Sequence, residues 1–126
     1  LAGTPKPPMA AQMLRMRARQ AQSAGRFEQA VDLFRRALQL FNAPELRIAL
    51  EECMLKANTD PPDIDAELKK ATRAGVSGAR WLVLEGEVAR RLGESERARR
   101  CFEHALRVEP DNPVARLGLE RLGAHD

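Results

Sequence analysis

The amino-acid sequence repeats every 34 residues, and three copies of the repeat follow one another in register. At this offset three columns of similar residues line up: Phe34, Leu68 and Phe102, then Ala37, Ala71 and Ala105, then Leu14, Ile48 and Leu82. A period of about 34 residues built from two short helices is typical of stacked helical arrays, in which one repeat cannot bury its apolar face alone. The repeat therefore predicts an all-α solenoid.

Composition agrees with a helical array and argues against other classes. Of the 126 residues, 44% are hydrophobic and 31% are charged, and the aromatic residues (four Phe, one Trp, no Tyr) are too few for a β-sandwich or barrel. No run of about 18 apolar residues and no signal peptide is present, so we expect no membrane association and a cytoplasmic location. Because the sequence starts at Leu1 and not at Met, we also expect a piece of a longer protein.

Prolines, glycines and the spacing of apolar residues predict where the helices begin and end. Residues 1–8 hold three prolines and a glycine and are interpreted as a linker or tag remnant, and residues 123–126 as a tail. A single domain is predicted over residues 9–122, where apolar residues at spacings of three and four indicate two helices per repeat. Gly25 and Gly93 are expected hinges, and Pro44 is expected at the start of a helix. The predicted helices cover residues 9–24, 27–41, 45–57, 61–74, 80–92 and 94–108. The repeats are assigned to 11–44, 45–78 and 79–112, and a closing helix to 113–122.

Two features of these helices are predicted in detail. In the middle repeat Asp60 is expected to cap a helix whose first residue is Pro61, because capping side chains accept hydrogen bonds from unpaired backbone N–H groups. The closing helix is too short to be stable alone. We therefore expect it to lie on the third repeat and to present a polar outer face.

The third repeat carries the most specific pattern. Small, hinge and aromatic residues occur there at fixed mutual spacings, namely Gly86, Gly93, Ala98, Phe102, Ala105 and Pro110. This segment resembles the tetratricopeptide repeat (TPR) family. The first repeat keeps most of the pattern and the middle repeat keeps Leu68 and Ala71. The resemblance covers residues 11–112, with 113–122 similar to the family's last helix. It implies a right-handed α-solenoid of three antiparallel helix hairpins with a C-terminal capping helix.

The sequence departs from the family at one position of each first helix. Where the family usually has leucine, this chain has Arg17, Glu51 and Glu85, and the apolar residues Met16, Leu50 and Leu84 stand one place earlier. Either the first helices are rotated relative to the family, or these three apolar side chains face the groove. The sequence leaves both alternatives open.

The resemblance also implies a binding surface. In the family the first helix of each repeat lines a concave groove, and here the groove residues would be Gln12, Arg15, Met16, Arg19, Gln22, Leu46, Ala49, Leu50, Cys53, Lys56, Arg80, Val83, Leu84, Glu87 and Arg90. The first repeat has six arginines against two acids. Since guanidinium groups bind carboxylates in a bidentate way, the expected partner is an acidic peptide with an apolar anchor.

Part of the family binds the C-terminal carboxylates of Hsp70 and Hsp90 through a clamp of basic and asparagine side chains. Carried onto this chain, the clamp positions are Arg15, Arg19, Leu50, Arg80 and Leu84. Both asparagine positions are replaced, by Arg19 and Leu50, and the last basic position by Leu84. A co-chaperone function is therefore an alternative to a groove that binds another extended peptide or helix.

Catalytic, metal and nucleic-acid sites are not expected. Cys53 and Cys101 are interpreted as reduced, partly buried thiols, and His104 and His125 share no catalytic motif with them. Arg17 points away from Arg15 and Arg19, so no continuous basic stripe forms for nucleic acid. We expect no cofactor. Trp81 is interpreted as a packing residue; exposed, it would be a peptide anchor instead.

The interpretation is a non-catalytic protein-interaction module, a monomer or weak dimer, within a larger bacterial scaffold or assembly protein. A structural repeat unit that associates with itself is a further alternative.

Overall fold

The computed structural model describes residues 6–123, and these form seven α-helices and no β-strand. The helices are α1 Met9–Ser23, α2 Phe27–Leu40, α3 Pro44–Lys56, α4 Pro61–Arg73, α5 Ala79–Arg91, α6 Ser95–Val108 and α7 Pro113–Gly123. Each predicted helix is present, with its ends within one or two residues of the expectation. Most of the predicted linker, most of the predicted tail and His125 lie outside the described residues. The assignment of residues 9–122 to one domain stays a prediction.

Three helices end in the same way. After α1, α4 and α5 the chain turns through Gly25, Gly75 and Gly93, whose φ angles of 76°, 101° and 81° are in the left-handed region that glycine adopts without strain. The next amide then bonds back to the helix, as Arg26 N does to Ala21 O at 2.8 Å. After α3 the middle repeat has no glycine, and Asn58 takes the left-handed conformation instead, with φ 61°.

The two prolines at the start of α4 change how its first turn is capped. Asp60 occupies the cap position and Pro61 the first helical position, as predicted, but the Asp60 side chain makes no capping hydrogen bond. A capping side chain accepts a hydrogen bond from the backbone N–H of the second or third helical residue. Pro62, the second helical residue, has no N–H, and the N–H of Asp63, the third, donates to the Asp60 carbonyl at 3.0 Å. The predicted side-chain cap was therefore wrong. By contrast, buried Asn112 caps α7 by accepting from Ala115 N at 2.9 Å.

The chain divides into two compact units between Asn58 and Thr59. In the first unit α1 packs against α2, and α2 against α3. Phe34 is fully buried, and the alanines of α1 and α2 are buried with it: Ala18, Ala30 and Ala37. Alanine has little side chain, so these positions allow the helices to approach closely.

In the second unit α5 packs against α4, α6 and α7, and α6 also packs against α7. The core cluster consists of Ala89, Ala98, Phe102, Ala105, Ala115 and Leu122. The Phe102 ring lies against Gly86 of α5 and Gly118 of α7, where a Cβ atom would come within 2.7 Å and 2.6 Å of the ring. These two glycines thus make room for an aromatic ring between α5 and α7.

Partly buried polar contacts accompany this core. Trp81 is buried and donates its indole N–H to Thr72 Oγ1 at 2.8 Å, which confirms the packing interpretation of Trp81. Arg97 of α6 forms a two-point contact with Asp65 of α4, at 2.6 Å and 3.3 Å. Bidentate pairs of this kind combine strength with a defined geometry, so the pair orients α6 relative to α4.

The outer face of α7 differs from the expectation of a polar lid. Its buried residues are Ala115, Gly118 and Leu122, whereas Val114 and Leu117 are exposed. Because the small residues face the Phe102 ring, the larger apolar residues at 114 and 117 point outward. The outer face of this helix is therefore partly apolar.

The register of the first helices is not the same in each repeat. Met16 is exposed, while Leu50 and Leu84 are only 2% and 5% exposed. At the neighbouring positions Arg17 is exposed, Glu51 is buried and Glu85 is partly buried. Neither alternative from the sequence therefore holds for all three repeats.

Within residues 6–123 no helix is both long and apolar enough to cross a membrane.

Candidate functional site

The residues assigned to a groove fall into three groups by exposure. Those exposed to solvent are Arg15, Met16, Arg19, Lys56 and Arg80; those partly exposed are Gln12, Gln22, Val83, Glu87 and Arg90; those buried are Leu46, Ala49, Leu50, Cys53 and Leu84. A buried side chain offers a partner little surface beyond a share of a cavity floor. The accessible part of the set is therefore largely charged and polar.

In the first unit a cleft brings together the start of α1 and the connection between α2 and α3. It has a volume of about 310 Å³ and is lined by Pro7, Ala11, Gln12, Arg15, Phe41, Ala43, Glu45 and Leu46. We call it the first-unit cleft. Its floor is apolar, and Arg15, Gln12 and Glu45 supply polar groups at its edges. A site of this size and character suits one apolar side chain with a polar neighbour.

Local chemistry shapes this cleft. The Gln12 side-chain amide donates to the Pro7 carbonyl at 2.8 Å and so holds the segment before α1 against the helix. On the other side, α2 ends at Leu40, Phe41 is extended, and Pro44 starts α3. Of the lining residues the sequence indicated Gln12, Arg15 and Leu46 and missed the others, including Phe41 and Ala43 in the connection. The stop between two helices, at residues 41–44, was the signal that could have identified them.

The charge on α1 has one sign only. Arg15, Arg17 and Arg19 are all exposed, and the helix contains no acidic residue. Met16 and Arg19 lie away from the cleft and line a shallow depression of about 560 Å³ with Gln20, Ser23 and Ala24. Two distinct parts of the α1 surface therefore carry the predicted residues.

Two other members of the predicted set have partners within their own unit. Lys56 lies over the Phe27 ring, with Nζ 5.4 Å from the ring centroid, a favourable cation–π distance. Val83 packs against the core cluster of the second unit. Neither side chain is a free element of a groove floor or rim.

On α5 an acidic residue offsets the expected basic rim. Glu87 accepts hydrogen bonds from Arg90, including one from Nε at 3.2 Å, and it also pairs with Arg91 at 3.5 Å. Burial alone would raise the pKa of Glu87, but the hydrogen bond from Arg90 and the charges of Arg90 and Arg91 outweigh it and hold this pKa below its usual value. Arg90 is thus engaged with Glu87.

Burial raises the pKa of both thiols and of one partly buried acid. Burial, with a smaller effect of Glu52, raises the pKa of Cys53 to about 11, and burial next to Glu85 raises the pKa of Cys101. Burial likewise raises the pKa of Glu85, although the Thr72 hydroxyl donates to it at 3.3 Å. Thiols with raised pKa values are poor nucleophiles. In the part of the chain that the structure describes, no three His, Cys, Asp or Glu side chains gather as a metal site.

Comparison with solved structures identifies the fold. The chain is similar to the TPR domain of Arabidopsis OM64 (TM-score 0.82, 19% identity, 93% of this chain and 97% of that chain). It is also similar to the second TPR domain of human RPAP3 in complex with the HSP70 peptide SGPTIEEVD (0.79, 22%, 94% and 98%). A third similar structure is PcrH of Pseudomonas aeruginosa in complex with the chaperone binding region of PopB (0.71, 17%, 98% and 98%).

At the level of sequence, the family pattern is found in one segment. The family model described as "Tetratricopeptide repeat" matches residues 79–112, the segment with Gly86, Phe102 and Ala105. No protein with a curated description matches the sequence. Residues 79–112 therefore match the tetratricopeptide repeat family, and the chain has the all-α fold of tetratricopeptide-repeat domains.

Proposed function

We propose that this chain is a non-catalytic protein-interaction module that binds a peptide segment of a partner protein at the first-unit cleft. An apolar side chain of the peptide occupies the cleft floor formed by Ala11, Phe41 and Leu46. An adjacent carboxylate of the peptide pairs with Arg15 at the edge. The observation that carries this proposal is the coincidence of an apolar cleft with the exposed guanidinium of a helix that has no acid.

Proteins of the same fold support a peptide-binding role. The RPAP3 domain is in complex with a peptide that ends in two glutamates, a valine and an aspartate, and PcrH is in complex with a segment of PopB. A domain that binds short segments of other proteins is suited to a role within a larger scaffold or assembly protein. Arg15 would supply the charge that favours acidic segments here.

Binding of chaperone C-termini in the manner of the clamp is the weaker alternative. Two of the five clamp positions are Leu50 and Leu84, which are apolar and buried. They offer no hydrogen-bond donor to a terminal carboxylate. We therefore expect the peptide SGPTIEEVD to bind more weakly than acidic peptides chosen for the first-unit cleft.

The non-catalytic part of the proposal is supported by the state of the candidate nucleophiles. Cys53 is buried with its pKa raised to about 11, and Cys101 also has a raised pKa. Both thiols are therefore protonated at neutral pH, because burial outweighs the charges of Lys56 near Cys53 and of Arg97 and Arg100 near Cys101.

Selection of peptides from a displayed random library, with the folded chain as bait, tests the proposal. Enriched peptides should combine one large apolar residue with at least one neighbouring acid. Their affinity should fall about tenfold in Arg15→Glu, which places like charges together, a loss of about 1.4 kcal/mol.

The matched control is Arg17→Glu, the same charge change on the same helix but nearly opposite Arg15. This control should leave the affinity for cleft peptides within about twofold, because exposed charges at that distance are screened by physiological salt. Enrichment of basic peptides, or equal losses in the two variants, would contradict binding at the cleft.

A further inference from the structure

Three methionines form an exposed apolar stripe along α1. Met9, Met13 and Met16 are 69%, 49% and 61% exposed, and their spacing of four and three residues places them on one face of the helix. We call Met9, Met13 and Met16 the methionine stripe. Single exposed apolar residues are ordinary, whereas a row of them on one helix face indicates a contact surface.

The stripe lies on the side of α1 that faces away from the core. The buried residues of the helix are Ala11, Ala18 and Ala21, and successive residues are about 100° apart around the axis. By this rotation Met9 and Met16 are roughly opposite Ala18, and about a third of a turn from Arg15 and the first-unit cleft. The stripe is therefore a second surface, separate from the proposed peptide site.

The residue type fits a surface that adapts to its partner. Methionine is unbranched and polarisable, so a row of methionines packs against apolar side chains of different shapes. The stripe adjoins the shallow depression at the end of α1, which is lined by Met16 of the stripe and by Gln20. From Met9 to Met16 the stripe extends about 10 Å, which corresponds to two turns of a partner helix.

Arginines border the stripe on both sides. Arg17 lies on one side of the stripe and Arg19 on the other, and α1 contains no carboxylate that could neutralise them. A partner that covers the methionines therefore brings its flanking residues next to guanidinium groups. Carboxylates are the side chains that these groups bind best.

We propose that the methionine stripe is a docking surface for an amphipathic helix of a partner protein, whose apolar face is flanked by acidic side chains. The apolar face of that helix packs on Met9, Met13 and Met16, and its acids pair with Arg17 and Arg19. Amphipathic helices are recognised in the same way in grooves, through apolar residues spaced three and four apart, and here the receiving surface is a helix face.

Two other occupants fit the surface less well. A second copy of α1 would bring three more arginines and no carboxylate, so it would leave the arginines unpaired. A lipid surface would suit the charge, but membrane-bound helices bury Trp, Phe or Leu on their apolar face, and the stripe has only three methionines.

The test uses a designed helical peptide of about 18 residues, with leucines at helical spacing and glutamates on both flanks, labelled for fluorescence anisotropy. A matched peptide has lysines in place of the glutamates. The glutamate peptide should bind the parent chain, and the lysine peptide should bind at least about tenfold more weakly.

Substitutions then locate the site. The double variant Met13→Glu, Met16→Glu should lose at least about tenfold in affinity for the glutamate peptide, because it places acids under the acidic helix. Both positions are exposed, so the variant should keep its circular dichroism spectrum. The control Val114→Glu, Leu117→Glu changes two apolar residues of similar exposure on α7, 55% and 43%, and should bind as the parent does.

The two arginine variants separate this proposal from the function proposed above. Arg17→Glu should weaken binding of the designed helix and leave binding of the cleft peptides unchanged. Arg15→Glu should weaken binding of the cleft peptides and leave binding of the designed helix unchanged. Three results would overturn docking at the stripe. They are unchanged binding in the methionine variant, a parent dimer that this variant converts to a monomer, and loss of binding to phosphatidylserine vesicles in this variant without loss of peptide binding.

Discussion

Replacing Gly118 by alanine is expected to destabilise the second unit, although alanine favours helices. A Cβ atom at this position would lie 2.6 Å from Cζ of Phe102 and 2.7 Å from both Cε atoms. The ring cannot simply move away, because on α5 a Cβ atom at Gly86 would also lie within 2.7–2.9 Å of it. The ring is buried, so any shift must displace a helix.

The magnitude follows from two opposing effects. Overpacking a well-packed core costs about 1–3 kcal/mol, and contacts with three ring atoms place this site at the upper end of that range. Helix propensity returns about 1 kcal/mol when glycine becomes alanine. The expected net loss in the free energy of unfolding is therefore about 2 kcal/mol.

Urea denaturation followed by circular dichroism measures this loss, and two variants test its cause. Gly123→Ala adds the same methyl group to the same helix, where nothing lies within 4 Å, and should change stability by less than about 0.5 kcal/mol. Phe102→Leu shortens the side chain, so Gly118→Ala should cost less in that background, with a coupling energy of about 1 kcal/mol or more. The reasoning is refuted if Gly118→Ala is as stable as the parent chain.

Two further predictions concern ionisable groups. Arg97 and Lys69 hold the pKa of Asp65 below its usual value, although burial opposes them, so the interaction stabilises the fold above the unfolded carboxyl pKa of about 4 and is lost as pH falls through the lowered folded value. Asp65→Asn should therefore cost about 2 kcal/mol at pH 7, and this cost should shrink as pH falls below about 4, as denaturation at a series of pH values would show; a constant difference would contradict the ion pair. Because the pKa of Cys53 is raised from 9.0 to about 11, its thiolate fraction is about a hundredfold below that of an ordinary cysteine, and it should react with a disulfide reagent only as the protein unfolds. Partly exposed Cys101 should react first, and equal rates for the two thiols would show that Cys53 is accessible.

Much of the fold could be predicted because helix pattern is a local property. Apolar spacing of three and four residues, the hinge residues Gly25 and Gly93 and the start at Pro44 located the helices to within one or two residues. The side-chain cap at Asp60 was wrong because Pro62 removes the amide that would donate to it. The outer face of the closing helix is polar only in part, because its small residues face Phe102 and leave Val114 and Leu117 exposed.

The candidate site was less predictable, because it depends on which side of each helix is covered. Equivalent positions in the repeats behave differently, since Met16 is exposed and Leu50 and Leu84 are buried. No single assignment of the column to groove or core could describe all three. Phe41 was missed because its place in the cleft comes from the path of the chain between α2 and α3 and not from a helical column.

The sequence alone determined the period of 34 residues, the all-α architecture and the tetratricopeptide pattern of residues 79–112. These follow from residue spacing along one chain, which the 3.6-residue turn of a helix converts directly into faces. Only the tertiary structure decided that Gly118 receives the Phe102 ring, that Arg97 pairs with Asp65 across 32 positions, and that the methionines of α1 remain uncovered. Each of these depends on what another helix places opposite a residue, and spacing along the chain does not contain that information.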